Sequence, residues 1–334
     1  MSSLYIDRKD VELKMDGQAI AFYENNQRCG TIPLAPIERI FLRGDIILHT
    51  NLLGKMGENG TGVVLMSGRK GKVSLLMSKP HNDAARRVTQ YHLSSDPDFC
   101  IGFSRCIVES KINAQLVFLE ELREKKLSAR YELTQRISRI REALSKIGQQ
   151  ENIPAIRGME GNTAAQYFAG LATILPGSLH FSGRNRQPPR DPFNVVLSLG
   201  YTLLHAETVL ALHGAGLDPY IGFYHALDFG RESLACDLVE AFRTDVDRFG
   251  LKLFNDRILR PEDFTKTGNA CMMGKTGRAA FYKNYEPFIE SIRRNITENI
   301  SDICDVIRRK TDIIFPQTRQ ADAITEKKSE ETPF

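Results

Sequence analysis

The sequence is poor in the features that mark secreted, membrane-spanning or zinc-binding proteins. Its six cysteines form no CxxC pair and fit no zinc-ribbon or zinc-finger spacing. No apolar run approaches the ~20 residues that span a bilayer, and the first residues lack the basic-then-apolar build of a signal peptide. We therefore expect reduced thiols, no association with a membrane and a cytoplasmic location.

Two further absences narrow the possible functions. The 45 Lys and Arg stand against 41 Asp and Glu, so the net charge of +4 permits nucleic-acid binding without arguing for it. Any DNA-binding surface must then come from local clustering of cations. A nucleotide-binding P-loop is not expected, because the glycines before Lys275 are spaced wrongly and the pattern predicts no strand before them.

The first part of the chain is patterned as strands. Residues 11–15 alternate apolar and polar side chains, Asp16-Gly17 offers a hairpin turn, and residues 19–23 resume the strand. Further short apolar runs follow, separated by Gly, Pro and Asn. This pattern predicts a small β-sandwich with one short helix near 51–59.

After Pro80 the apolar period changes to that of helices. Residues 106–119 show i, i+3, i+4 spacing, and 130–147 repeat it with many charges. Further helices are predicted at about 162–175, 193–213, 233–248 and 278–310. The fold class is therefore α+β, with an N-terminal small β-sandwich domain over 1–82 and an all-α domain over 83–316. We expect a disordered polar tail over 317–334.

Three short segments carry residues suited to chemistry, and the first contains Glu160. It lies between glycines, directly before an Asn162-Thr163 pair that is typical of a helix N-cap. Glycines beside a carboxylate allow other groups to approach closely. Taken alone, Glu160 is better explained as an acid stabilised at a helix start.

The other two segments supply a histidine and a pair of acids. His225 ends an apolar, glycine-containing turn, where a lone histidine usually has a structural role; the other histidines are interpreted as structural. Asp237 and Glu240 are three residues apart and share one helix face, which fits a solvated surface or a cation site. Carboxylates and imidazole without cysteine suit Mg²⁺ or Mn²⁺ better than structural zinc.

Together these segments resemble the integrase family of CRISPR adaptation. The resemblance covers most of 1–315 and consists of a combination of short motifs. They are Gly-x-Glu-Gly-x-x-Ala-x-x-Tyr-Phe around Glu160, Gly-Phe-x-His ending at His225, Gly-Arg-x-Ser-Leu-x-x-Asp-Leu-x-Glu-x-Phe-Arg around Asp237 and Glu240, Asn-x-x-Leu-Ser-x-x-Tyr ending at Tyr201, and a Lys-Ile-x-Asn-Gln-like segment from Lys111 to Gln115. In the last of these, Ala114 separates Asn113 from Gln115.

The resemblance implies a fold, a reaction and a set of site residues. The fold is an N-terminal β-domain followed by an all-α catalytic domain, in agreement with the periods above. The implied function is a metal-dependent DNA endonuclease and integrase that inserts foreign DNA fragments, or spacers, into a CRISPR array by transesterification. The implied catalytic residues are Glu160, His225, Asp237 and Glu240, with Mg²⁺ or Mn²⁺ held by Glu160, His225 and Glu240.

Candidate DNA-binding residues come from clusters of cations. Arg184, Arg186 and Arg190 share a Pro-rich loop that either contacts DNA or is simply solvated. Lys275 and Arg278 form a second candidate cluster. Tyr201 is a third candidate near the metal, with a buried core tyrosine as the alternative.

The resemblance also implies partners: double-stranded DNA as prespacer and as CRISPR repeat, the small partner protein of CRISPR adaptation, and a second copy of the chain bound through the β-domain. Two other functions remain open. One is a metal-dependent nuclease or transposon-type integrase of the same fold that serves repair or mobility. The other is a noncatalytic DNA-binding scaffold.

Overall fold

The strand-rich first part of the chain forms two four-stranded sheets. A computed structural model describes residues 2–67, 72–76, 83–185 and 188–314. Its first elements are β1 (Ser2–Asp7), β2 (Val11–Asp16), β3 (Ala19–Glu24), β4 (Gln27–Pro33), β5 (Ile37–Arg43), β6 (Ile46–Leu48), α1 (Thr50–Asn59), β7 (Gly62–Ser67) and β8 (Lys72–Leu76). The strand orders are β1-β5-β7-β8 and β4-β3-β2-β6. The predicted helix near 51–59 is confirmed as α1.

The sheet β1-β5-β7-β8 has two buried faces. Side chains alternate across a strand, so Ile40 and Val63 point into the core shared by the two sheets, which α1 also joins. Their neighbours Phe41 and Val64 point the other way, into the core of the helices that follow. The predicted β-sandwich is confirmed, and one of its sheets also packs against the helices of the second part.

The second part of the chain is helical. Its elements are α2 (Ala84–Ser94), α3 (Pro97–Lys125), α4 (Arg130–Ile147), α5 (Ile153–Ala172), α6 (Pro192–Gly214), α7 (Ser233–Asn255), β9 (Phe264–Thr267), β10 (Ala270–Met273) and α8 (Lys275–Ile314). α3 packs against α4, α5 and α7, and α6 packs against α7 and α8. This arrangement brings α3, α5 and α7 together around one point, where the candidate site lies.

Helix α6 is long and apolar enough to cross a membrane by length and composition alone. However, 61% of its most apolar window is buried inside the protein. Its start is fixed by Asp191, whose side chain accepts the backbone N–H of Asn194 at 2.9 Å, and by Pro192 in the first turn. We therefore interpret α6 as the central core helix of the helical part.

Two sequence predictions need correction. Glu160 does not start a helix: α5 begins at Ile153, capped by Asn152, whose Oδ1 accepts the backbone N–H of Ala155 at 2.9 Å. Glu160 consequently lies in the middle of α5, and Gly158 is helical. The all-α description also omits the β9–β10 hairpin. The predicted tail over 317–334 and Arg186 lie outside the described residues.

Candidate functional site

Two carboxylates from different helices meet at one ammonium group. Lys111 on α3 donates from Nζ to Oε2 of Glu240 on α7 at 2.6 Å and also to Oε1 of Glu160 on α5. The Lys111 side chain is 8% exposed and that of Glu240 is 4% exposed. The sequence prediction that Glu160 and Glu240 converge therefore agrees with this geometry, although eighty residues separate them.

The second oxygen of each carboxylate has a partner of its own. Arg243 Nε lies 2.8 Å from Oε1 of Glu240, and the hydroxyl of Tyr224 donates to Oε2 of Glu160. Burial, and next the charge of Glu160, raise the pKa of Tyr224, which keeps its hydroxyl protonated as a donor. The two remaining oxygens are therefore aimed at the same point, where the Lys111 ammonium stands.

The charge state of Glu240 follows from competing effects. Burial favours the neutral acid, but Arg243 and Lys111 outweigh it and lower the pKa of Glu240 to about 2. A carboxylate kept ionised inside the protein must have cations beside it. The Glu240 carboxylate is thus anionic at any physiological pH.

His225 is held in place by Asp237. Oδ1 of Asp237 lies 2.7 Å from Nδ1 of the ring and accepts the His225 backbone N–H at 2.8 Å. Oδ2 accepts the backbone N–H groups of Phe223 and Tyr224 at 2.7 and 3.0 Å. With Nδ1 donating to the carboxylate, Nε2 is the ring nitrogen that can bind a metal, as is usual for a histidine supported in this way.

The turn before His225 requires a glycine at position 222. A Cβ at this position would lie 2.7 Å from Oδ2 of Asp237 and 2.7 Å from the carbonyl carbon of Ser233. Only a residue without a side chain allows the turn to approach the start of α7 this closely. The glycine of the Gly-Phe-x-His pattern is therefore required for the contact between Asp237 and His225.

The donor chemistry of this site fits a divalent cation of the magnesium or manganese type. Two carboxylates and one imidazole, without thiolate, are the ligands such ions take. Among the described residues, no group of three His, Cys, Asp or Glu side chains already stands at metal-binding spacing. The cation found between Glu160 and Glu240 is Lys111, so the ammonium marks the position that a metal ion would occupy.

A polar cavity of about 210 Å³ adjoins this position. It is bordered by Glu160 and by four cationic side chains, which are Lys111, Arg157, Arg184 and Arg243. Gln115, one helical turn after Lys111 on α3, also borders it, and its buried Oε1 has no hydrogen-bond partner among the described residues. Guanidinium and ammonium groups around a cavity of this kind suit a phosphate.

Tyr201 packs against two of the arginines that border this cavity. Its hydroxyl donates to Oδ1 of Asp247, and Tyr167 donates to Oδ2 of the same carboxylate at 2.8 Å. Burial raises the pKa of Asp247 to about 6, against the lowering effect of these two hydrogen bonds. The Tyr201 ring lies between two guanidinium groups, with Arg243 at 4.6 Å and Arg184 at 5.3 Å from its centroid. Its hydroxyl is thus engaged inside the protein rather than offered to DNA.

The other predicted DNA-binding residues are divided between two places. Arg184 borders the cavity and is held by Asn194, whose Oδ1 lies 2.8 Å from its Nη1. Arg190 is exposed in the same loop. Arg278 pairs with Asp7 of β1, and Lys275 borders a separate, larger cleft of about 700 Å³ between the β-domain and α8. The structure does not bring Lys275 and Arg278 to the carboxylates.

Sequence reasoning assigned no role to Lys111 or Arg243, although both lie in the motifs quoted above. Lys111 falls between Val108 and Ile112 on the buried side of α3. A lysine in an apolar stripe needs a buried anionic partner, and this signal was available. Burial lowers the pKa of His205, which sequence reasoning interpreted as structural, but hydrogen bonds to Cys236 and Glu232 outweigh burial and raise that pKa to about 9.

The sequence also matches a family of known proteins. The family model for "CRISPR associated protein Cas1" matches residues 4–287. Among sequence relatives, the CRISPR-associated endonuclease Cas1 1 of Thermodesulfovibrio yellowstonii is 38% identical over 317 residues, which cover 94% of this chain and 99% of that protein.

Solved structures share the fold. A casposase bound to integration product superposes with a TM-score of 0.80 at 22% identity, over 93% of this chain and 91% of the casposase chain. A chain of a Cas6-RT-Cas1–Cas2 complex gives a TM-score of 0.79 at 22% identity, over 92% of this chain and 35% of the other. At this identity the likeness establishes the α+β architecture alone.

Proposed function

This chain belongs to the Cas1 family, and on that premise we propose that it is a metal-dependent DNA endonuclease and integrase that inserts spacers into a CRISPR array. One observation carries the proposal. The carboxylates of Glu160 and Glu240 meet at a single cationic position, beside a histidine oriented by Asp237 and a cavity bordered by cations.

The metal would be held by Glu160, Glu240 and Nε2 of His225. When bound, a divalent cation stabilises negative charge on the phosphoryl oxygens and orients the attacking hydroxyl. The chain's own residues prepare this position: Asp237 fixes the imidazole, Arg243 keeps Glu240 ionised, and Tyr224 restrains Glu160. Asp237 acts through His225, because both of its oxygens are occupied by the turn 223–225.

The reaction is a phosphodiester exchange. The 3′-hydroxyl of the incoming DNA attacks a phosphorus atom of the CRISPR repeat, and a new P–O bond forms as the bond to the 3′ oxygen of the cut strand breaks. One phosphodiester replaces another, so no external energy source is needed. The protein contributes mainly by positioning the reactants, and with water as nucleophile the same site cleaves DNA.

Phosphate binding falls to the cations around the cavity. Arg157 and Arg184 border it; Arg157 donates to the backbone oxygen of Tyr224, and Arg184 donates to Oδ1 of Asn194. Guanidinium groups bind phosphate through paired hydrogen bonds. Arg190, exposed in the same loop, extends this surface toward the rest of the duplex.

The proposed partners are double-stranded DNA, a second copy of the chain and a Cas2-type protein. The DNA and the Cas2-type partner are suggested by the solved casposase and Cas6-RT-Cas1–Cas2 structures. For the second copy, β4 is an edge strand of its sheet and its side chains are almost all exposed. Edge strands of this kind offer unpaired backbone groups to another chain. We place the protein in the cytoplasm, where the array lies.

A strand-transfer assay tests the proposed function. A short duplex with free 3′-hydroxyls and a plasmid bearing the cognate repeat are incubated with wild type, with His225→Ala and, as a matched control, with His92→Ala, which changes an exposed histidine on α2. We expect His225→Ala to reduce transfer more than the ~100-fold typical for loss of a residue that only supports a ligand, while DNA binding persists. EDTA should abolish transfer and Mn²⁺ restore it.

The same assay separates the rival functions. Full transfer by His225→Ala would indicate a noncatalytic scaffold, with activity supplied by another protein. Equal transfer into plasmids with and without the repeat would indicate a transposon-type integrase.

A further inference from the structure

Lys111 occupies the position of the proposed metal ion. Its ammonium donates to one oxygen of Glu160 and one of Glu240, the two oxygens not held by Tyr224 and Arg243. The lysine is buried, as is Glu240. An ammonium and a divalent cation repel each other and cannot both fill one position between the same two oxygens.

The same contact stabilises the metal-free protein. Two carboxylates facing each other inside a protein repel strongly unless a cation lies between them. Lys111 supplies that cation from the chain itself, and Arg243 assists from the far side of Glu240. The fold therefore does not depend on metal to keep Glu160 and Glu240 together.

A second place for the Lys111 ammonium lies next to the first. The cavity of about 210 Å³ is bordered by both Lys111 and Gln115, which are four residues apart on α3 and so share a face. The Oε1 atom of Gln115 is buried and has no hydrogen-bond partner among the described residues. A buried amide oxygen without a donor is costly, and an ammonium turned into the cavity would supply one.

We propose that Lys111 is a displaceable cation that holds the metal position closed until a divalent ion replaces it, and that its ammonium then moves into the cavity toward Gln115. This inference rests on the proposed metal site. In the displaced state Lys111 adds a positive charge to the cavity in which the DNA phosphate is expected. Metal loading and phosphate binding are thereby coupled through one side chain.

The test measures Mn²⁺ binding without DNA, by electron paramagnetic resonance titration of free Mn²⁺. The proteins are wild type, Lys111→Met, and Lys252→Met as a control at an exposed lysine of α7. Competition reduces the apparent affinity to the intrinsic affinity multiplied by the fraction of molecules in which the site is open, so Lys111→Met should bind Mn²⁺ about tenfold or more tightly. Its melting temperature should fall in EDTA and recover with Mn²⁺, whereas wild type should change little.

A second variant covers the case in which Lys111→Met does not fold without metal. Gln115→Met keeps Lys111 and all proposed ligands but removes the acceptor for the displaced ammonium, so it should bind Mn²⁺ several-fold more weakly. Unchanged or weaker Mn²⁺ binding by Lys111→Met, or unchanged binding by Gln115→Met, would overturn the proposal.

A third variant separates the failure of this inference from the failure of the proposed function. Glu160→Gln removes a proposed metal ligand and should lower Mn²⁺ affinity in every background. If Glu160→Gln binds Mn²⁺ as wild type does, the metal site itself is wrong. If Glu160→Gln loses Mn²⁺ binding while Lys111→Met binds Mn²⁺ as wild type does, the metal site is supported and only the proposed role of Lys111 is wrong.

Discussion

Asp237 holds both the ring and the backbone of His225 with a single oxygen atom. Oδ1 lies 2.7 Å from Nδ1 and 2.8 Å from the backbone nitrogen of the histidine. The Asp237 carboxylate is fully buried, and its other oxygen accepts two more backbone N–H groups. The orientation of the proposed metal ligand therefore depends on a carboxylate that is itself occupied and out of reach of a metal ion.

Replacing Asp237 by Asn should weaken the reaction without removing a ligand. The amide has one acceptor oxygen in place of two, and each Asp237 oxygen has two contacts with the turn 223–225, so two of those contacts become clashes between donors. We expect strand transfer and Mn²⁺ affinity to fall about 10- to 100-fold. Asp302→Asn, at an exposed position of α8, is the control. Wild-type Mn²⁺ affinity in Asp237→Asn would contradict this role.

Gly222→Ala should damage the same site through crowding. The added methyl group would lie 2.7 Å from both Oδ2 of Asp237 and the Ser233 carbonyl carbon, so the turn must move away from α7. We expect a loss of about 1–3 kcal/mol in the free energy of unfolding, measured by urea titration, together with reduced strand transfer.

Gly102→Ala provides the comparison for Gly222→Ala. Gly102 is helical in α3, and a Cβ there meets nothing within 4 Å. This variant should be stabilised by about 0.5–1 kcal/mol. Equal effects of the two substitutions would show that the close contact at Gly222 is unimportant.

Tyr201→Phe tests whether this tyrosine acts in the core or on DNA. The substitution removes the hydroxyl that donates to Asp247, a carboxylate 1% exposed. Loss of a donor to a buried carboxylate should cost about 1–3 kcal/mol of unfolding free energy. The salt dependence of DNA binding should stay as in wild type, because the hydroxyl faces Asp247. A stable variant with weaker DNA binding would instead support the predicted DNA contact.

Acid stability should depend on Glu240. Its pKa falls from the ordinary value of 4.5 to about 2 in the folded protein, because Arg243 and Lys111 outweigh burial. An acid with a lowered folded pKa contributes stability above its unfolded pKa and loses it as the pH falls toward the folded one. Urea unfolding from pH 5 to about pH 2 should therefore show a steeper loss of stability for wild type than for Glu240→Gln. Glu58→Gln, which changes a glutamate 68% exposed, should follow wild type.

Two basic positions should differ in their effect on DNA affinity. Arg184 borders the cavity beside the carboxylates, whereas Lys275 borders the separate cleft against the β-domain. Arg184→Gln should weaken DNA binding and lower the slope of log affinity against log salt by about 1 for each lost phosphate contact. Lys275→Gln should leave both unchanged. The opposite order would restore the sequence-based prediction that Lys275 contacts DNA.

The sequence predicted the architecture well because both halves carry a clear period. Alternation in residues 11–15 indicated strands, and i, i+3, i+4 spacing indicated α3 and α4. The start of α5 was misplaced because Asn162-Thr163 was interpreted as a helix N-cap. The true start signal was Asn152 followed by Pro154, an N-cap and a first-turn proline. Tertiary packing overrides the modest helix penalty of glycine.

The candidate site was predictable only as a set of residue types. The family resemblance implied Glu160, His225 and Glu240 as site residues. No local sequence pattern, however, predicts that α3 packs between α5 and α7. The role of Lys111 depends on that long-range packing, and so does the cation pair around Tyr201. Contacts between residues far apart in sequence are fixed by the core as a whole, which the periodic pattern of one segment does not encode.

Glu207 on α6 is buried and binds Arg39 of β5 and Arg293 of α8, with N–O distances of 2.7 and 2.6 Å. Breaking the strand half away from the helices would separate Arg39 from this buried acid, which would keep its pair with Arg293. It would also expose to solvent the side chains of Phe41 and Val64, which are buried against the helices. We therefore expect the two halves to unfold together in one cooperative step. A helical fragment produced alone would be too unstable to keep the carboxylates of Glu160 and Glu240 in position.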